Sequence, residues 1–146
     1  MSVTPDAVIV VSDTHIGSTV GLSPPTVSLD DGGMYNASPP QRELWKCWVD
    51  FWQWAAEQSK GHRRIVVFNG DIIETDAKSR GIPMATRNKA DLLTMAIEAI
   101  GPALEVSDLT YVIRGTQAHT GQAAEFEELL ARDITNISPS TKKVKS

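Results

Sequence analysis

The chain has 146 residues, enough for one core but not two, and 41% of them are apolar, which excludes a disordered chain. Fourteen Lys and Arg against eighteen Asp and Glu leave a net charge of −4, which argues against a generic basic nucleic-acid binder. That charge lies wholly within residues 1–41, where Asp6, Asp13, Asp30 and Asp31 meet no Lys or Arg, so something there tolerates or requires a cation.

Taken in order, the first element is an apolar run, Ala7–Ser12 (AVIVVS). Its wholly apolar part, Ala7–Val11, is far short of the ~20 residues that cross a bilayer. It also follows Pro5 and Asp6 rather than a basic segment, so neither a membrane span nor a secretory signal is expected. Ser18–Ala37 is rich in Gly, Ser, Pro and Asp and reads as one long irregular loop of functional type. Ser38-Pro39-Pro40 is a helix-start signature, and the spacing of apolar residues predicts a helix over Gln41–Ser59. Trp45, Trp48 and Trp52 at i, i+3 and i+7 form its buried face, while Cys47, the single cysteine, excludes an internal disulfide and fits a reducing, cytoplasmic compartment.

Arg64–Asn69 (RIVVFN) is the second strand, followed by a polar loop, Thr75–Thr86, and a helix over Asn88–Ile100 that stops at Gly101-Pro102. Leu109–Arg114 (LTYVIR) is the third strand, and Gln122–Arg132 a third helix. The strands are nearly continuous in apolar residues, which suits a parallel sheet buried on both faces. Strand and helix alternate three times, the signal for an α/β fold with a parallel-type sheet and flanking helices. One domain is expected over residues 1–137, with a long loop at 18–38, and residues 138–146 (SPSTKKVKS) read as a disordered basic tail.

In open parallel sheets ligands bind beyond the carboxyl ends of the strands. The three strands here run into Ser12-Asp13-Thr14-His15, into Gly70-Asp71-Ile72-Ile73-Glu74, and into Arg114-Gly115-Thr116-Gln117-Ala118-His119. Helical return connections bring all three to one edge, so carboxylates and imidazoles converge. Asp13 and His15, one residue apart, make a mixed oxygen and nitrogen donor pair suited to Mn, Fe or Zn. Asp71 follows a glycine that permits a sharp turn and is placed to bridge two cations; such a pair activates water and clamps a phosphoryl group.

At these residues the chain resembles the calcineurin-like metallophosphoesterases, whose motifs run D-x-H, G-D-x-x-[DE], G-N-H-[DE], a lone His and G-H-x-H. It looks closest to the bacteriophage-encoded branch, in which G-T-x-A-H replaces the third motif; host cytoplasm would then be its location. The resemblance covers roughly residues 7–133. It implies hydrolysis of phosphomonoesters or phosphodiesters through a metal-bound hydroxide, with one or two divalent ions and nucleic acid among the open substrate classes.

By that resemblance Asp13 and His15 hold the first metal, Asp71 bridges, and Thr116 stands in the place of the Asn ligand. His119 is the candidate proton donor, although Gln117 is the direct positional match, and Glu74 and Arg114 orient the ligands from behind. No histidine follows His119, so the last two motifs are missing. The resemblance therefore implies the N-terminal half of an αββα sandwich. The alternatives are an inactive truncated fragment and a subunit whose site a partner chain or oligomer completes.

Overall fold

The structure, a computed structural model, describes residues 6–75, 81, 83–115 and 123–137. Thr116, Gln117, His119 and the tail at 138–146 lie outside them. The elements in order are β1 (Ala7–Val11), β2 (Thr26–Ser28), β3 (Met34–Asn36), α1 (Pro39–Gln58), β4 (Arg64–Asn69), α2 (Lys89–Val106), β5 (Leu109–Ile113) and α3 (Ala123–Ile137). All three expected strands and all three expected helices form.

β1, β4 and β5 make a parallel sheet in the order β1-β4-β5. Register puts Ile9 beside Val66 and Val11 beside Phe68, with Thr110 and Val112 next in line, so these side chains share one face. That face carries the core, where Val66, Phe68 and Val112 pack in one cluster with Trp52, Met95, Ala96, Ile100, Phe126 and Leu130 of the helices. Among the described residues the opposite face is not covered at the β1 end. Val8 and Val10 remain 60% and 59% exposed, so the expectation of a sheet buried on both faces fails for this strand. Continuous apolar sequence records a strand's capacity for burial, and covering each face takes a neighbour that sequence alone does not place.

Two boundaries also differ, both for tertiary reasons. α2 runs through Gly101-Pro102 to Val106 instead of stopping there. Proline removes the hydrogen bond to the carbonyl of Glu98, on the exposed side, while Ala99, Ile100 and Ala103 are all buried and carry the apolar stripe onward. The segment 18–38 is not one irregular loop. β2 and β3 form an antiparallel hairpin within it, closed by Leu29–Gly33, and Val27 and Tyr35 pack into the core. Asp31 is a turn residue that accepts from the Gly33 amide (2.8 Å), and the Asp30 amide donates to buried Asp91 near the start of α2 (2.8 Å).

α1 begins with a capping box in which Ser38 and Gln41 satisfy each other's backbone amides. Gln41 is buried and does more: its Nε2 donates to the carbonyls of Ser18 (3.2 Å) and Gly21 (3.0 Å), and its Oε1 accepts from the Tyr35 hydroxyl (2.8 Å). One side chain thus ties the helix start to the hairpin and to the chain after β1. Trp52 is buried and Trp45 and Trp48 half-buried, as their spacing predicts, whereas Trp54 stands outside. Among the described residues no helix is long and apolar enough to cross a membrane.

Candidate metal centre

Beyond the carboxyl ends of β1 and β4 the chain continues side by side rather than diverging. The Asp13 amide donates to the Gly70 carbonyl (3.2 Å), that of His15 to Asp71 (3.1 Å), that of Ile16 to Ile72 (2.8 Å), and Glu74 returns one to Ile16 (2.8 Å). The third exit lies against the second. A Cβ on Gly70, whose φ is +76°, would fall 2.8 Å from the Gly115 Cα, so only glycine lets the two backbones approach this closely. The three strand exits therefore do meet at one edge.

Among the described residues three that are not glycine have positive φ: Asp13 (57°), His15 (45°) and Asp71 (52°). They are the three residues whose chemistry singled them out as ligands. Left-handed backbone is costly for residues with a Cβ and concentrates at functional sites, so its confinement to these three is informative. The Asp13 and His15 side chains lie together, with Oδ1 of one 3.9 Å from Nε2 of the other.

The imidazole is braced from behind. His15 Nδ1 lies 2.9 Å from Glu74 Oε2, and the Glu74 side chain is only 5% exposed. A carboxylate at Glu74 accepts from a ring N–H at Nδ1, the arrangement that in a neutral imidazole leaves the lone pair on Nε2, the nitrogen on the Asp13 side. Hydrogen bonding of a histidine's second nitrogen to a carboxylate is how metal-binding imidazoles are oriented. Thr14, between the two, is buried and donates to the Ile72 carbonyl (2.8 Å), which holds the exit against its neighbour.

A carboxylate oxygen and an imidazole nitrogen are donors of the kind a divalent cation accepts. Tetrahedral donors at about 2.0–2.2 Å from one ion stand about 3.3–3.6 Å apart, and Asp13 and His15, 3.9 Å apart, would have to close by a few tenths of an ångström to share one. No cluster of three or more His, Cys, Asp or Glu side chains positioned for a metal occurs among the described residues. Arg114 faces elsewhere, pairing with Glu128 of α3, while the Gly115 amide donates to Glu127 (2.9 Å); both contacts tie the third exit to that helix. Thr116, Gln117 and His119 lie outside the described residues.

A cleft of about 400 Å³ opens beside Asp13, His15 and Glu74, and Val20, Leu22, Leu44 and Trp48 form its other wall. Sequence reasoning missed this wall, and it also missed Gln41, which holds the wall in place. The signal for Gln41 was present in Ser38-Pro39-Pro40-Gln41, where the serine and a glutamine three residues on form a capping box. Nothing local marks Val20 or Leu44. Comparison of the chain with family models, with curated proteins and with solved structures returns no match, so the reading of this site rests on its own residues.

Proposed function

We propose that the chain is a metal-dependent phosphoesterase that hydrolyses phosphomonoesters or phosphodiesters, resembling the calcineurin-like metallophosphoesterases at Asp13, His15, Asp71 and Glu74. The observation that carries this reading is that, among the described residues other than glycine, left-handed backbone is confined to Asp13, His15 and Asp71 on adjoining strand exits, with His15 braced by buried Glu74. Asp13 and His15 would hold a divalent ion, Mn, Fe or Zn by the chemistry of the donors. Asp71 would supply a further carboxylate from the neighbouring exit. A cation at this position supplies positive charge for the phosphoryl oxygens and acidifies water. Glu74 fixes the ring of His15, Asp13 offers its carboxylate from a side chain that is 65% exposed, and the cleft admits the ester beside them. The finer fold assignment, one layer of a two-sheet sandwich, belongs to the same proposal and is supported by the uncovered face at Val8 and Val10.

Mn²⁺ titration by calorimetry, with hydrolysis of bis(4-nitrophenyl) phosphate followed in parallel, tests the proposal. Binding and turnover are both expected, and Asp71→Asn is expected to lower turnover by at least about a hundredfold. Equal turnover by the two proteins would overturn the catalytic assignment. The second reading is a domain that binds a cation without turnover until another chain completes the site. The lack of a third converging donor among the described residues favours it. Binding without hydrolysis is its signature.

A further inference from the structure

The cleft beside Asp13 and His15 has two chemistries, and only one of them concerns a phosphoryl group. We infer that it selects phosphoesters whose organic part is an apolar, non-hydrogen-bonding group, an aryl ring above all, seated against Val20, Leu22, Leu44 and Trp48. This specificity rests on the metal-centre reading, because the cation fixes which end of the ligand is the phosphoryl end.

Two of the four wall residues are exposed. Val20 is 74% and Leu44 44% exposed, and they meet Leu22 and half-buried Trp48 around one concavity rather than lying scattered. Isolated exposed aliphatics are ordinary, but a contiguous set facing a cleft next to polar donors is the make-up of a small-ligand site. The volume, about 400 Å³, suits a phosphoryl group joined to one ring system.

The polar groups that build this wall are turned inward. Ser18 Oγ accepts from the Gly21 amide (2.8 Å), the Ser18 and Gly21 carbonyls accept from Gln41 Nε2, and the Leu22 amide donates to the Thr14 carbonyl (2.9 Å). The Trp48 indole N–H, the one side-chain donor among the four apolar residues, donates to the Ala99 carbonyl of α2 (2.8 Å). The wall therefore offers surface and shape, and its side chains cannot read the hydrogen-bonding edge of a nucleobase. It is also preformed, since Gln41 and the Thr14–Leu22 bond fix it before any ligand arrives, which lowers the entropic cost of binding.

The test compares phenylphosphonate with methylphosphonate, two non-hydrolysable ligands with the same head group, by calorimetry on the Mn²⁺-loaded chain. Phenylphosphonate is expected to bind about tenfold more tightly, through burial of one ring face. Leu44→Asp and Val20→Asp, at exposed positions that tolerate a carboxylate, are each expected to reduce that preference at least threefold and to move methylphosphonate much less. Equal affinity for the two phosphonates overturns the inference, as does a preference that survives both substitutions. Adenosine 5′-monophosphate binding more tightly than phenylphosphonate would overturn the exclusion of base readout. Mn²⁺ binding without affinity for either phosphonate overturns the inference alone, whereas failure of Mn²⁺ to bind overturns the metal-centre reading as well.

Discussion

Asp13 sits in a conformation that opposes its own stability. Its φ of 57° places an L side chain in the left-handed region, and the side chain, 65% exposed, contributes little packing in return. Asp13→Gly is therefore expected to raise stability by about 0.5–1 kcal/mol in urea denaturation while weakening Mn²⁺ binding, the opposite signs that mark strain held for function. Glu74 acts through another residue, and its substitutions separate positioning from packing. Glu74→Ala is expected to weaken Mn²⁺ binding about 10–100-fold. Glu74→Gln keeps an oxygen that accepts from His15 Nδ1 and should recover part of the loss. Equal loss in both variants would assign Glu74 to its charge alone, since glutamine keeps both the volume and the acceptor.

At the scale of elements, the start of α1 and the exit of β4 each depend on a single residue. Gln41→Ala removes half of the capping box and leaves the buried Ser18 and Gly21 carbonyls without their donor, so a loss of about 2–3 kcal/mol is expected. Hydrogen exchange should show faster opening at Gly21 and Leu22, because the same side chain pins the loop that forms the cleft wall. Gly70→Ala combines an unfavourable φ with a Cβ 2.8 Å from the Gly115 Cα. About 2 kcal/mol or more should be lost, and the third exit should shift away from the second. Helix positions were legible from the spacing of apolar residues, as the tryptophans of α1 illustrate. The passage of α2 through Gly101-Pro102 was not, because local propensity loses there to the burial of Ala99, Ile100 and Ala103.

Across the whole molecule, the open feature is the β1 side of the sheet. β1 ends the order β1-β4-β5, with an unpaired backbone edge among the described residues, and Val8, Val10 and Trp54 are all more than half exposed around a groove of about 490 Å³. Edges of this kind promote association unless charged or covered. The chain is expected to associate with rising concentration in sedimentation runs, and Val10→Lys should shift that association to higher concentration without lowering stability by more than about 0.5 kcal/mol. Concentration-independent sedimentation of the unsubstituted chain would show the edge to be adequately protected by its twist and length.

The amino-acid sequence by itself determined the α/β alternation, the parallel direction of the strands and the chemistry at their ends. Apolar periodicity is a local property, and a helix between two strands returns the chain to the same edge. The arrival of Asp13, His15, Asp71 and Glu74 at one edge was legible for that reason. Only the tertiary structure decided that the first three adopt left-handed backbone, that Glu74 reaches His15 across 59 residues of sequence, and that Val20 and Leu44 face the same cleft. Those facts depend on which backbones lie side by side, and no spacing along one chain encodes that.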